Sequence, residues 1–466
     1  MLVRRPDGAP DALGRAVVTA LAPAAPTPVD VALARLERLV SPWSGAVRDA
    51  YEILAAPDDA RLPRFAAILP DTQPLLGFLP GHLEETSGGC ADSRDRARAA
   101  AIGEAAERFA ASFVPDAELV LATARELGPR AVEPERFALF APEQHERDDF
   151  PFAPFTADTV VRWAPAFSLP AGAPALLPAQ LVYLHWSSAP APEAPIGYAT
   201  SSGLACGPTL VESLLAGLYE LIERDGFMLA WTHRLSLPLL DWSAEPELLA
   251  WEARYLAPAG ARHDVVDLSC FLGVPAALAV VQGAGHGQPA WAVGAGCAAT
   301  MTEAWKKALA EAYSVRSWAR ALLAESPGRR FARPPEIASF ADHVHFHALA
   351  ENRSACAFLT ASHDRRPLAE AAPVEGERPF DRISALCARL AEQGCGVWAV
   401  DVTTPDVRSA GLRVTKTIVP ELCPLDVRHD ARFLGGTRLR TLPHRLGLTG
   451  APPAWEELNP DPHPFP

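Results

Sequence analysis

Three stretches of this chain pair an acidic, helix-patterned segment with a glycine-containing lead, and any fold it adopts must bring those segments together or leave their charges scattered. The first is Glu104, Glu107 and Arg108 in "AAAIGEAAERF", after "SGGC" (Ser87 to Cys90). The second is Glu220, Glu223 and Arg224 in "LLAGLYELIERDGF", with Glu212 earlier on the same helix, after "SSGLACG" (Ser201 to Gly207). The third is Lys307 and Glu311 in "WKKALAEAYSVRSW", after "VGAGC" (Val293 to Cys297). Positions three and four apart share a helix face, so each segment can aim two carboxylates, or a carboxylate and a cation, at one point. A single such helix is usually a solvated, ion-paired surface. Three, each after glycines that allow close backbone approach to an anion, point to a shared site for Mg²⁺ and phosphate, because Mg²⁺ favours carboxylates and bridges to phosphate oxygens.

The rest of the sequence sets bounds. With 466 residues and 49% hydrophobic content the chain can bury a sizeable core. A net charge of −14 and the lack of a basic stripe argue against a nucleic-acid partner. Eight cysteines without CxxC spacing read as reduced core residues of a cytoplasmic protein. The apolar run from Leu268 to Val281 is broken by Gly273 and Pro275, so no membrane span is expected, and no signal peptide follows Arg4 and Arg5.

Residues 1–60 are expected to form a small N-terminal appendage, with one helix in "VDVALARLERLV", and residues 61–466 the main domain. Helices are predicted at Arg94 to Phe113, Thr209 to Trp231 and Thr302 to Leu323. Strands are predicted in "FAAILP", "VVRWAPAFSL", "ALLPAQLVYLHW", "DVVDLSCF", "AALAVVQG" and "PAWAVGAG". Towards the C-terminus, helix "FDRISALCARLAEQG", strand "GVWAVDVTT", a short "PDVRSAGL" and strand "RVTKTIVP" read as a βαβ-like unit. The fold class is α+β: a pseudo-symmetric domain whose acidic helices converge on one site.

Other signals compete. "GAGCAA" (Gly294 to Ala299) matches a dinucleotide-binding fingerprint, but the acidic strand end required about 20 residues on falls inside a continuing helix. There is no GxxxxGK[ST]. His343, His345 and His347 would share a strand face and could ligate a metal, although satisfied histidines on an exposed strand or short helix are the simpler reading. In the tail "NPDPHPFP", proline at 460, 462, 464 and 466 fixes φ and removes amide donors, so the segment should lie extended, either as a frayed end or docked.

The segments "SGGCADSRDRARAAAIGEAAERF", "SSGLACGPTLVESLLAGLYELIERDGF", "VGAGCAATMTEAWKKALAEAYSVRSW", "DVTTPDVRSAGLRVTKTIVP" and "LNPDPHPFP" together resemble the YcaO family, from about Thr86 to the last residue. The resemblance implies a fold that binds ATP and Mg²⁺ and phosphorylates a peptide amide oxygen. The proline-rich end is similar to that of the cyclodehydratases, which convert Cys, Ser or Thr of a ribosomal precursor peptide to azolines. On the same basis Glu104, Glu107, Glu212 and Glu223 are expected as Mg²⁺ ligands and Arg108, Glu220, Arg224, Glu311 and Lys416 as nucleotide-site residues. Pro464 and Pro466 are expected in catalysis. The sequence departs from the family pattern at Ala100, Pro208, Ser314 and Lys416. No E1-like half is recognisable, so a separate E1-like leader-binding partner is expected, together with a homodimer. A backbone thioamide or amidine synthase is the alternative within the family, and a non-catalytic scaffold subunit the alternative outside enzymes.

Overall fold

Strand and helix backbones meet directly at three places, and those contacts organise the molecule. The computed structural model describes residues 24–71, 86–186, 193–283, 287–332 and 336–466. The expectations for the first 23 residues, the charged N-terminal lead included, lie outside them. Fourteen strands fall in three sheets among the described residues. The first, in the order β1-β2-β3, comprises β1 (Asp49–Glu52), β2 (Arg64–Ile68) and β3 (Thr86–Cys90). The second joins β4 (Val120–Ala122), β5 (Val161–Leu169), β13 (Val397–Asp401), β14 (Arg413–Ile418) and β7 (Leu204–Gly207), with β6 (Pro174–Pro178) paired to β5. The third runs β11 (Trp291–Cys297), β10 (Ala276–Gln282), β9 (Arg262–Asp267), β8 (Leu239–Asp241) and β12 (Arg365–Pro367).

Each sheet has an edge strand that feeds an acidic helix. Helix α1 (Val29–Leu36) precedes the first sheet; α2 (Arg94–Ala111) follows β3, α3 (Leu210–Thr232) follows β7 and α4 (Met301–Glu325) follows β11. Ser93, Thr209 and Thr300 start the three long helices, each side chain accepting the amide of the third helical residue. Helix and strand are pressed together by glycine. A Cβ on Gly89 would strike the backbone of Ala97 and Ala101, one on Gly207 that of Ser213, and one on Gly294 that of Glu311 and Ala312. The glycine-containing leads are thus strands in close contact with helix backbone, where the sequence had suggested phosphate-cradling turns.

The boundary expected at residue 60 falls within the first sheet, since β1 pairs antiparallel with β2. Leu36, Leu39 and Val47 share a buried cluster with Ala97, Ala101 and Ile102 of α2, and Arg98 holds Glu37 in a two-point pair through Nε and Nη2. The C-terminal unit is not βαβ. Strands β13 and β14 pair antiparallel, with Val400 opposite Lys416, because the 11 residues from Val402 to Leu412 are too few for a parallel crossover. The strand expected in "ALLPAQLVYLHW" ends at Pro178, where a 3-10 turn (Ala179–Leu181) follows; the three long helices are where the apolar periodicity put them.

A Gly294→Ala substitution is expected to cost at least about 2 kcal/mol, since its Cβ meets backbone that cannot rotate away. Gly88→Ala, with nothing within 4 Å of the added carbon, should change stability by less than about 0.5 kcal/mol. Denaturant unfolding of the two variants beside the parent checks the difference.

Candidate functional site

The inward faces of α2, α3 and α4 deliver five carboxylates to one crevice, and each carboxylate accepts a backbone amide from an edge strand or the loop before it. Glu104 accepts from Gly88 N at 3.0 Å and is paired to Arg108 at 2.7 Å. Glu107 accepts from Cys206 N at 2.7 Å, so the first helix reaches the second unit's strand. Glu220 accepts from Gly203 N at 3.1 Å. Glu223 accepts from Cys297 N at 2.9 Å and from Lys307 Nζ at 3.2 Å, carrying the second helix to the third unit. Glu311 accepts from Ala295 N at 2.7 Å. The Glu223 carboxylate lies at the floor of the crevice with its side chain 2% exposed, while Glu104 and the stem of Lys307 reach towards solvent, their side chains 35% and 52% exposed.

Concentrating like charges in a partly dry space disfavours ionisation. Burial raises Glu104 to about 7, with Glu220 and Glu311 adding repulsion against the Gly88 amide. Glu311 is also pushed to about 7, by burial first and by Glu223, while Arg224 and Lys307 pull the other way. Glu107 is raised well above the carboxylate range by burial, and Glu220 is raised by the same cause. For Lys307, burial favours the neutral amine, but Glu223 and Glu311 outweigh it and the net shift is upward. Lys416 Nζ, buried against the carbonyls of Thr200 and Ser202 at 2.6 Å each, is lowered to about 8 by burial.

The cluster holds more acidic than basic groups and needs a cation. It also has cationic capacity to spare for an anion: Arg224 Nε and Nη1 are buried without a hydrogen-bond partner among the described residues. A hard divalent ion with phosphate oxygens fits both.

The structure therefore gathers Glu104, Glu107, Arg108, Glu220, Glu223, Arg224, Glu311 and Lys416. It does not bring Glu212 into contact with them. That residue lies eight positions before Glu220 on α3, roughly 12 Å along the axis. Its carboxylate accepts from Thr27 N at 2.6 Å, Thr27 Oγ1 at 2.9 Å and Thr209 Oγ1 at 2.8 Å.

The proline-rich tail is docked, with Pro464 and Phe465 buried. Proline suits a buried end because it brings no amide donor to satisfy. The carbonyls that remain are met by side chains. Arg432 donates to Asn459 O at 2.7 Å, Trp231 Nε1 to Asp461 O at 3.3 Å, His347 Nε2 to Pro462 O at 2.6 Å and His343 Nδ1 to His463 O at 2.8 Å. The Phe465 ring lies 3.9 Å under the Arg224 guanidinium, which brings the tail to the crevice.

Sequence reasoning left Phe465, Trp231 and the histidines outside the site. The histidines are on a helix, α5 (Phe340–Ala348), not a strand, so His343 and His347 share a face four residues apart. His343, His463 and Asp426 have potential ligand atoms within 4.8 Å of one another. The two rings, however, are stacked 3.9 Å apart at 11°. Ring nitrogens bind metals in the ring plane, and near-parallel planes that far apart cannot share one ion. A helical spacing test on "HVHFH" would have found the shared face.

With the geometry in view, comparison with known proteins is informative. A family model described as YcaO cyclodehydratase, ATP- and Mg²⁺-binding, matches residues 88–423. No curated protein matches significantly. Among solved structures, a heterocyclase in complex with substrate and cofactor is 24% identical with a TM-score of 0.78, over 94% of this chain and 57% of its own. The heterocyclase TruD is 27% identical with a TM-score of 0.64, over 79% of this chain and 51% of its own. The YcaO of Methanopyrus kandleri, bound with AMPPCP and Mg²⁺, is 18% identical with a TM-score of 0.61, over 92% and 96%. The chain spans little more than half the length of the two heterocyclases. Among the described residues no helix is long and apolar enough to cross a membrane.

Acids whose folded pKa is raised bind more protons in the native than in the unfolded state between about 4.5 and 7, so metal-free protein should lose stability as pH rises through that window. In EDTA the melting temperature is expected to fall from pH 5 to pH 8. Added Mg²⁺ should raise it more at pH 8 than at pH 5, as thermal melts at fixed ionic strength would show.

Proposed function

The chain belongs to the YcaO family, and from that premise we propose that it is the ATP-dependent cyclodehydratase of a ribosomal precursor peptide, converting Cys, Ser or Thr residues to azolines. ATP and Mg²⁺ are the cofactors of the family fold. The observation that carries the reading is the junction of the five-carboxylate crevice with the docked tail, joined through Arg224 and Phe465.

Glu104, Glu107 and Glu223 are the proposed Mg²⁺ ligands within the crevice. Glu212 could join them only by exchanging its bonds to Thr27. Arg108, Glu220, Arg224, Glu311 and Lys416 are proposed to line the nucleotide. Magnesium would supply charge neutralisation of the triphosphate. The side chain of the substrate residue attacks the preceding carbonyl carbon, the resulting oxyanion takes the γ-phosphoryl group, and phosphate leaves as the C=N bond of the ring forms. One peptide loses one water equivalent while ATP becomes ADP and phosphate. The chemistry demands positioning and charge stabilisation more than a reactive side chain, which agrees with a crevice whose nearby cysteines, the half-buried Cys206 and the buried Cys297, are thiols raised above their ordinary range.

The tail, including Pro464 and Pro466, is proposed to present its end to the reacting amide. The carbonyls of Asn459, Asp461, Pro462 and His463 are already paired and its prolines are stiff, so little entropy is lost in holding it there. A leader-binding partner is proposed to deliver the peptide. The alternative of a thioamide or amidine synthase would use the same ATP activation with an external nucleophile.

Purified chain, partner and precursor peptide with ATP and Mg²⁺ should release one phosphate for each water lost from the peptide by mass spectrometry; phosphate without a dehydration mass change would favour the alternative. Glu107→Gln and Glu223→Gln are each expected to lower ATP turnover at least about 100-fold while circular dichroism stays native. Removing Pro462 to Pro466 should slow ring formation at least about tenfold. Nucleotide affinity, read by calorimetry, should change far less.

A further inference from the structure

Beside the crevice, on the far side of Arg224, lies a second, largely apolar cleft of about 620 Å³ counted out to its open mouth. Leu139, Leu181, Tyr198, Leu221, Ile418 and Phe433 form its walls, and Arg224 and Lys416 stand at its inner end. Lys416 is engaged by the Thr200 and Ser202 carbonyls; Arg224 meets Glu220 at 3.5 Å and the Phe465 ring, and its Nε and Nη1 are the donors assigned above to the anion of the crevice. Apart from the two cations, the polar side chains of the lining are the hydroxyls of Tyr198, Thr200, Ser202 and Thr417 and the Cys423 thiol, with no carboxylate or carboxamide. The lining is that of a site that takes an apolar group.

We propose that this cleft is a side-chain subsite for the peptide substrate, and that it takes an aliphatic or aromatic side chain on the residue adjoining the one modified. The inference rests on the peptide-modifying reading above and adds a specificity that the carboxylate crevice does not contain. Arg224 belongs to both spaces, so a peptide whose amide sits in the crevice has its next residue, about 3.8 Å away from Cα to Cα, beside the inner end of the cleft, from which its side chain can extend along the apolar walls. Burying a leucine there favours it over glycine through the apolar area removed from water. Tyr198 is held in the wall by a bond from its hydroxyl to Ala431 O at 3.1 Å, so the space is preformed.

The test uses the full chain with a non-hydrolysable ATP analogue and Mg²⁺, and the probes N-acetyl-X-Cys-methylamide with X as Gly, Ala, Leu or Phe. Binding is read by saturation-transfer NMR, and nucleotide affinity separately by calorimetry. The leucine and phenylalanine probes are expected to bind at least about tenfold more tightly than the glycine probe. Ala199 lines the same cleft, and Ala199→Val and Ala199→Trp should weaken the large probes progressively while leaving the glycine probe and the nucleotide unchanged. Equal binding of all four probes, no binding of any, or selectivity that survives Ala199→Trp in a protein with an unchanged melting curve overturns the subsite. A fall in nucleotide affinity in step with probe affinity would make the cleft a nucleobase pocket and overturns it as well. No turnover is measured, so failure of the cyclodehydratase reading, seen as peptide of unchanged mass in the reconstituted reaction, is a separate result.

Discussion

A glutamate carboxylate that accepts a strand amide is the interaction on which this architecture depends. Glu107 leans on the amide of Cys206 and Glu223 on that of Cys297, each crossing from one strand–helix unit to the next. The bond orients the carboxylate, and leaves its second oxygen for a ligand. It also pins the helix in register with a neighbouring sheet. Site and scaffold are therefore the same set of contacts, and the raised pKa values of Glu104, Glu107 and Glu311 reflect the burial and like-charge crowding that come with holding them together.

Much of this was legible in the sequence because helical periodicity is local. Glutamates three apart on a helix must share a face, and the caps Ser93, Thr209 and Thr300 stand where the helices begin. What could not be read was which partner each face would meet. The glycines of "SGGC" and "VGAGC" suggested phosphate contact, but in those segments the amides of Gly88 and Ala295 are taken by Glu104 and Glu311, and Gly294 answers to steric contact with α4. Glu212 looked equivalent to its neighbours by residue type, yet a displacement of two helical turns gives it different company, Thr27 and Thr209. The tail posed the hardest case. Its conformation followed from proline, while its docking depends on Trp231, His343, His347 and Arg432, residues more than 25 positions away in sequence that no local pattern connects.

The arrangement around Arg224 shows how few groups link the separate parts. Its guanidinium touches the carboxylates of Glu220 and Glu223, caps the Phe465 ring and closes the inner end of the apolar cleft. A planar cation can do this because its faces and its edges accept different partners. A lysine there would keep the charge and lose the stacked face.

The direct contact of strand and helix backbones at Gly89, Gly207 and Gly294 has an evolutionary corollary. Where no layer of side chains separates two elements, there is no volume to redistribute, and a change on one side has no compensating change available on the other. Drift is blocked at these seams and diverted to surfaces with slack, such as the walls of the apolar cleft. Proteins built this way should diverge in what they accept long before they diverge in how they are joined.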